Sequence, residues 1–158
     1  MDPAIRKRTL RLMSNGMYVM TSSYGDHHGA ATLTWLSQAS FKPPLVMAAV
    51  RPTSNVFKCL AESRVAAIHI LDANQQEMAQ RFFCPTCVVD DTINGEPFTP
   101  GVTRAPILKN ARAHVECEVR HIFDRSDHAV VVMEVIAAQC DGEVHPLTVA
   151  ESPWEYGG

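Results

Sequence analysis

The sequence lacks the features that would place the protein in a membrane, outside the cell or on nucleic acid. No apolar run approaches the ~20 residues that a membrane-spanning helix needs. The first 15 residues hold no apolar core of the kind found in signal peptides. The formal net charge is only −3, which gives no electrostatic attraction to nucleic acid or to an anionic membrane. We therefore expect a cytoplasmic protein whose partners include neither nucleic acid nor membrane.

Three common motifs are also missing. The chain contains no G-x-G-x-x-G turn and no G-x-x-x-x-G-K-[ST] loop, so it has neither a Rossmann dinucleotide site nor a Walker phosphate loop. It also contains no G-x-S-x-G nucleophile elbow. These absences exclude three large classes of enzyme.

The five cysteines show no disulfide-scaffold spacing, and their odd number indicates a reducing compartment. Cys84 and Cys87 form a C-P-T-C motif, which is compatible with half a metal site, a redox pair or an ordinary loop. A tetrahedral metal site needs about four ligands, and no second C-x-x-C motif is present. We therefore expect no metal.

Composition and pattern predict one mainly β domain over residues 1–158. The 46% hydrophobic and 20% charged residues are normal for a globular domain of this length. Strands are predicted at residues 17–23, 32–41, 45–50, 65–71, 114–123, 128–138 and 144–149, with a long loop at residues 84–106. Helices are predicted from Pro3 to about residue 15, over residues 56–62, and from Asn74 to residue 82 or 83. Strands joined by tight turns favour a closed antiparallel barrel over a parallel sheet.

The most informative stretch covers residues 29–55. Its first half alternates between polar residues such as Thr32 and Thr34 and apolar residues such as Leu33 and Trp35, which predicts a half-buried strand. Two prolines interrupt the pattern before the apolar run at residues 45–50.

Residues 51–55 read R-P-T-S-N and lead into a helix. Free N–H groups at a helix start, two hydroxyls and an arginine favour anion binding. A polar strand face, an apolar neighbour and this helix start would together suit a flat ring with a phosphate tail. The alternative is an ordinary sheet with one wet face, followed by a capped helix.

The run T-L-T-W-L-S-Q-A-S-F-K-P-P-L-V at residues 32–46 resembles the T-x-[NS]-x-x-x-x-x-S-x-x-P-P-L-V pattern of the flavin reductase-like, FMN-binding split-barrel family. Supporting matches are G-M-Y-V-M-T, M-A-Q-R-F, A-P-I-L, the pair Asp127-His128 and the ending P-W-E-Y-G-G. The resemblance implies a mainly β fold with flanking α. Its expected form is a Greek-key closed antiparallel barrel with two to three covering helices, the FMN-binding split barrel.

The resemblance also implies FMN as cofactor, with FAD possible, and NAD(P)H as cosubstrate. The residues that it assigns to the flavin are Thr32, Leu33, Thr34, Trp35, Ser37, Gln38, Val50, Arg51, Ser54, Asn55, Arg81 and Phe82. It assigns Asp127 and His128 to the nicotinamide, in a motif whose usual glycine is here Ser126. Since residues other than glycine resist positive φ, this turn leaves nicotinamide binding open. Thr34 stands where the family has Asn or Ser, and Ala31 where Met is common.

The implied function is an NAD(P)H:flavin oxidoreductase that transfers hydride to flavin. It would feed a partner oxygenase or reduce a small acceptor such as a ferric complex. One alternative is a flavoredoxin-like, FMN-binding electron-transfer protein without NAD(P)H activity, and another is a flavin-free relative. The family also implies a homodimer, and we expect the apolar residues 154–158 to reach the partner subunit.

Overall fold

The computed structural model describes every residue from Met1 to Gly158. Strands make up most of its regular structure, and none of its three helices has the length and apolarity needed to cross a membrane. The elements in chain order are α1 (Pro3–Leu10), β1 (Tyr18–Tyr24), β2 (His27–Leu33), β3 (Leu36–Phe41), β4 (Pro44–Val50), α2 (Asn55–Ser63), β5 (Val65–Ile70), α3 (Gln76–Arg81), β6 (Val88–Val89), β7 (Thr92–Ile93), β8 (Glu96–Pro100), β9 (Pro106–Leu108), β10 (Ala113–Phe123) and β11 (Ala129–Cys140).

Local sequence explains where the first two helices begin. The Asp2 carboxylate accepts a hydrogen bond from the Ala4 N–H at 2.8 Å, and Pro3 occupies the first turn of α1, as predicted. The Ser54 hydroxyl caps α2 by accepting from the Phe57 N–H at 3.2 Å. The helix α2 ends at Arg64, whose φ of 61° is left-handed. The helices therefore start close to where the capping residues predict.

Seven strands form one antiparallel sheet in the order β2-β1-β5-β10-β11-β4-β3. The strands β2 and β3 lie at its two edges and do not pair, so the sheet is open and the predicted closed barrel is not formed. The predicted continuous strand at residues 32–41 is likewise divided at residues 34–35.

The outer edge of β2 bonds to a different part of the chain, which explains why it does not pair with β3. The Thr32 N–H donates to the Phe82 carbonyl at 3.2 Å, and the Thr32 hydroxyl donates to the Ala79 carbonyl at 2.6 Å. The Thr86 hydroxyl accepts from the Ala30 N–H at 3.0 Å. Because backbone groups of a sheet edge need partners, α3 and the segment after it replace a barrel-closing strand.

Two further predictions are wrong. Residues 84–106 were expected to form a loop, but they contribute most of a second, four-stranded sheet in the order β6-β7-β8-β9. Its two-residue strands turn at Asp90 and Asn94, both with φ of 50°, and such short strands carry no readable periodicity. Residues 144–149 form no strand, because only isolated bridges from Gly16 to Thr148 and from Asp72 to Pro146 involve them.

Two hydrophobic clusters flank the sheet and both reach β2. One contains Met20, Leu60 and Met133, and it includes Leu33 of β2. The other contains Leu71, Leu108 and Leu147, and it includes Ala30 of β2. The strand β2, which is the second strand of the first hairpin, is thus fixed by buried apolar contacts in both clusters.

His69 joins the two sheets as a fully buried neutral side chain. The Leu108 N–H of β9 donates to its Nε2 at 3.0 Å, so Nδ1 carries the proton and donates to the Val19 carbonyl of β1 at 2.9 Å. Burial lowers the pKa of His69 to about 4, although the bond to Val19 opposes this shift. The imidazole is therefore uncharged at neutral pH.

Candidate functional site

A cavity of about 610 Å³ opens between β2, the end of β4 and the start of α2. This volume lies within the range of small-molecule sites. Fourteen of its 25 lining residues are hydrophobic. The lining consists of Met17, Ala30, Ala31, Thr32, Leu33, Thr34, Trp35, Ala49, Val50, Arg51, Thr53, Ser54, Asn55, Val56, Phe82, Phe83, Cys84, Pro85, Thr86, His128, Val149, Ser152, Trp154, Glu155 and Tyr156.

The first wall of the cavity is the end of β2 with the crossing that follows it. Thr34 is only 6% exposed, and its Oγ1 has no hydrogen-bond partner in the protein. Buried hydroxyls are almost always hydrogen-bonded. An unpartnered hydroxyl at the wall of a cavity is therefore suited to a polar group on a bound ligand.

The second wall is the start of α2. The Ser54 hydroxyl both caps the helix and donates to the Arg51 carbonyl at 2.7 Å, which fixes the turn that leads into it. The first-turn N–H groups of a helix have no partners within the helix and carry partial positive charge. The exposed Arg51 lies on the same turn and also lines the cavity. The turn is therefore suited to an anion beside the apolar pocket.

Gly29 brings these two walls together. A Cβ atom at Gly29 would lie 2.4 Å from the Val56 N and Cα atoms and 2.5 Å from the Asn55 carbonyl carbon. Only a residue without a side chain permits β2 to lie directly against the first turn of α2. The polar end of β2 and the helix start are neighbours for this reason.

The third wall is formed by Trp154 and Tyr156 of the C-terminal segment, which pack against aromatic side chains from earlier in the chain. The ring centroid of Trp35 lies 4.8 Å from that of His128 and 5.4 Å from that of Tyr156. Phe83 and Trp154 meet edge to face at 4.9 Å. The segment we expected to reach a partner subunit thus packs on the cavity of its own chain.

Arg11 holds this segment in place. Its Nη1 pairs with Glu155 Oε2 at 2.6 Å, and its Nε donates to the Gly157 carbonyl at 3.0 Å. The helix α1 buries no residue of its own, so these contacts link it to the rest of the fold. Residues 152–156 are thereby positioned across one side of the cavity.

The structure brings together ten of the fourteen residues that the sequence assigned to a site. These ten are Thr32, Leu33, Thr34, Trp35, Val50, Arg51, Ser54, Asn55, Phe82 and His128. The other four lie outside the lining. Ser37 and Gln38 are exposed on β3, Arg81 pairs with Glu96 at 3.2 Å, and the Asp127 side chain is 91% exposed.

His128 is the more buried member of the pair assigned to the nicotinamide. Its side chain is 12% exposed, and its Nδ1 lies 3.4 Å from Asp127 Oδ1. That contact lacks the direction of a hydrogen bond, so Nδ1 has no partner. The Ser126 hydroxyl donates to the His128 carbonyl at 2.8 Å and fixes the turn. A buried ring nitrogen thus remains available at the side of the cavity.

Sequence reasoning missed the segment after α3. The Thr86 hydroxyl bonds to both the N–H and the carbonyl of Ala30, at 3.0 and 3.2 Å, which places Cys84 and Pro85 on the cavity wall. Nothing in the local pattern indicates this long-range contact. Thr53 lies within the turn at residues 51–55 that the sequence indicated. For the third wall, the only indication in the sequence was the apolar character of the last residues.

The cavity combines apolar walls, an unpartnered hydroxyl and a helix start, which is the arrangement that suits a flat ring with a phosphate tail. Residues 10–153 match the protein-family model described as the flavin reductase like domain. The chain belongs to this family.

Relatives and solved structures agree with this assignment. FMN reductase (NADH) SmoA of Agrobacterium fabrum is 28% identical over 138 residues, which cover 87% of this chain and 77% of SmoA. Diflavin flavoprotein A 1 of Synechocystis sp. is 29% identical over 130 residues, which cover 82% of this chain and 23% of that protein. The chain therefore spans about a quarter of the length of the diflavin relatives it matches.

Two solved structures share the fold. The flavin reductase domain protein of Arthrobacter sp. FB24 has a TM-score of 0.83 at 22% identity, with 98% of this chain and 99% of that chain covered. Nitrilotriacetate monooxygenase component B of Mycobacterium thermoresistibile has a TM-score of 0.75 at 26% identity, with 92% and 82% covered. Their likeness extends over nearly the whole chain.

Proposed function

We propose that the cavity binds a flavin nucleotide, with FMN as the first candidate, and that the protein transfers hydride from NAD(P)H to the flavin. The observation that carries this proposal is the unpartnered Thr34 hydroxyl on the cavity wall beside the α2 anion site. A flavin has a polar ring edge, an apolar ring face and a phosphate, and each has a matching group in this cavity. When bound, the flavin supplies the hydride-accepting chemistry, and the protein supplies binding and orientation.

The residues of the cavity divide into three roles. Leu33, Trp35 and Val50 provide apolar surface for the ring, while the Thr34 hydroxyl hydrogen-bonds its polar edge. Arg51 and the N–H group of Asn55, at the helix start capped by Ser54, hold the phosphate, because a helix start and a nearby arginine attract an anion. Thr32 donates its hydroxyl to the Ala79 carbonyl and its N–H to the Phe82 carbonyl, so it lines the site without a free donor.

The nicotinamide approaches from the side of His128. The buried imidazole packs against Trp35 and has an unpartnered Nδ1, which is available to orient a carboxamide. Asp127, at the rim, is exposed to solvent. Proximity and orientation are the main contributions that a protein makes to hydride transfer between two bound rings.

An activity assay tests this proposal. Purified protein is mixed with FMN and either NADH or NADPH, and loss of nicotinamide absorbance is compared with a protein-free control. We expect turnover with at least one nicotinamide, and no turnover with either would contradict the activity. Thr34→Val should weaken FMN binding roughly two- to tenfold, since one hydrogen bond contributes about 0.5–1.5 kcal/mol. The matched control Thr9→Val removes an exposed hydroxyl bonded only within α1 and should leave binding unchanged.

A second candidate is an FMN-binding electron-transfer protein that does not use nicotinamide. Two observations favour it: Ser126 replaces the usual glycine, and Trp35 and Tyr156 cover the ring of His128. In this case a protein electron donor would reduce the bound flavin while NADH and NADPH remain inert.

We also propose a homodimer built from the single domain of residues 1–158. The large apolar side chains Met47, Val130 and Phe123 are 42%, 37% and 62% exposed on the neighbouring strands β4, β11 and β10, and an exposed apolar patch is typical of an interface. Sedimentation of the purified protein tests the dimer. The downstream acceptor we propose is a flavin-dependent oxygenase or a ferric complex, and the fold shared with a monooxygenase component supports the oxygenase.

A further inference from the structure

Residues 154–157, which we name the strap, lie across the side of the cavity where His128 is found. The ring of Tyr156 lies 5.4 Å from that of Trp35, and its hydroxyl lies 3.5 Å from His128 Nε2. Tyr156 therefore occupies the space beside the two side chains that the proposed function gives to the flavin ring and to the nicotinamide.

The proposed position of the nicotinamide is incompatible with the strap as it lies. Hydride transfer needs donor and acceptor atoms about 3–3.5 Å apart, so the two rings must stack with no side chain between them. The aromatic side chains of the strap instead meet Trp35 and Phe83, the latter through Trp154 at 4.9 Å. The strap and a nicotinamide therefore compete for the same side of the cavity.

Side-chain contacts, rather than a ladder of backbone hydrogen bonds, hold the strap. No backbone–backbone hydrogen bond involves residues 153–158. Arg11 contributes an ion pair to Glu155 at 2.6 Å and a hydrogen bond from its Nε to the Gly157 carbonyl at 3.0 Å. The ion pair reaches solvent, since the Glu155 side chain is 79% exposed. Segments held in this way open at low cost in free energy.

Arg11 reaches the strap from outside the cavity. It directly follows the last residue of α1 and is absent from the cavity lining. The helix α1 buries no residue of its own, so substitution of Arg11 leaves both the hydrophobic core and the walls of the cavity unchanged. Arg11 can therefore influence a ligand only through the strap.

We propose that the strap is an autoinhibitory cover that must leave the His128 side of the cavity before a nicotinamide can enter, and that Arg11 is its latch. This inference rests on the proposed function, because it concerns the nicotinamide side of the same site. The observed affinity for a ligand falls in proportion to the fraction of molecules whose site is open. Loosening the latch therefore tightens nicotinamide binding, which is the reverse of what loss of a binding residue does.

Tryptophan fluorescence reports on the strap without any cofactor. The chain has two tryptophans, Trp35 and Trp154, and both lie at this wall. Flavin-free wild type, Arg11→Ala and Arg8→Ala are titrated with the quencher acrylamide. Arg8 is the matched control, because it lies on α1 and forms no ion pair. We expect the quenching constant to rise about twofold in Arg11→Ala and to stay at the wild-type value in Arg8→Ala.

Steady-state kinetics at saturating FMN test the competition. Arg11→Ala should lower the KM for the nicotinamide about three- to tenfold at unchanged kcat, because it removes an exposed ion pair and a charged hydrogen bond. Glu155→Gln weakens only the ion pair and should lower KM less. The double variant should match Arg11→Ala, because both substitutions act on the same contact. Arg8→Ala should keep the wild-type KM.

Two results overturn the inference alone. One is normal turnover with a KM that Arg11→Ala raises or leaves unchanged, because the strap then does not compete with the nicotinamide. The other is a quenching constant that is equal in wild type and Arg11→Ala, because Arg11 is then not the latch. Absence of nicotinamide turnover in both proteins overturns the proposed function and the inference with it. Thermal melts establish that each variant is folded.

Discussion

Gly29→Ala should separate the two walls that form the proposed flavin site. The new methyl group would lie 2.4 Å from backbone atoms of Val56, whereas ordinary van der Waals contact begins at 3.4 Å. The strand β2 and the first turn of α2 must therefore move apart by about 1 Å. Because the contacting atoms are backbone, no side chain can rotate away to relieve the overlap.

The cost follows from measured effects of overpacking. Inserting a methyl group into a packed interior costs about 1–3 kcal/mol, which lowers Tm by about 2–12 °C for a chain of this size. If flavin binding requires the original spacing, the same free energy opposes binding. At about 1.4 kcal/mol per tenfold change, the Kd for FMN rises roughly 5- to 150-fold.

The measurement is titration of flavin-free protein with FMN, with Tm recorded in parallel. Gly142→Ala is the matched control. Gly142 has a φ of +73° in a turn beyond β11, so alanine strains the backbone there without touching the cavity. The control should lose stability and keep its FMN affinity. A folded Gly29→Ala protein with wild-type affinity would show that contact between β2 and α2 does not shape the site.

Three further outcomes are expected. Burial lowers the pKa of His69 from its ordinary value of 6.5 to about 4 in the folded chain. Between these two pH values the unfolded chain binds a proton at His69 and the folded chain does not. Stability should fall by about 2 kcal/mol between pH 7 and pH 5, and His69→Gln, which keeps an acceptor for the Leu108 N–H, should flatten this slope in denaturant titrations. Ser54→Ala removes a helix cap worth about 1 kcal/mol. It should weaken binding of FMN more than binding of riboflavin, because riboflavin has no phosphate. Equal losses of affinity for the two ligands would place the phosphate elsewhere. Arg11→Ala removes the ion pair that holds the segment carrying Glu155, so carboxypeptidase should digest this segment faster. The Tm should change little, because exposed ion pairs add little stability. An unchanged rate of digestion would mean that other contacts hold the segment.

Much of the scaffold could be predicted from sequence because its elements carry strong local patterns. The strands β1, β5, β10 and β11 are apolar or alternate in a clear period, and α2 has both a Ser54 cap and an apolar face. The turn before α2 was singled out for its hydroxyls and Arg51, and the structure places that turn on the cavity wall. The sequence pattern was therefore sufficient to predict the elements whose stabilising contacts lie between residues close together in the chain.

Features made by long-range contacts could not be predicted. The break at residues 34–35 occurs because the edge of β2 bonds to Phe82 and Thr86, and neither residue signals this contact in the sequence. The second sheet contains strands of two residues, which are too short for alternation to be seen. The packing of Tyr156 against Trp35 joins residues more than a hundred positions apart. Tertiary structure decided each of these features.

A crystal structure of the protein with FMN tests the proposed site most directly. We predict that the phosphate lies beside Ser54 and accepts a hydrogen bond from the N–H group of Asn55, with the polar edge of the ring within hydrogen-bond distance of Thr34 Oγ1. An FMN bound elsewhere on the surface, with this cavity empty, would contradict flavin binding at this site.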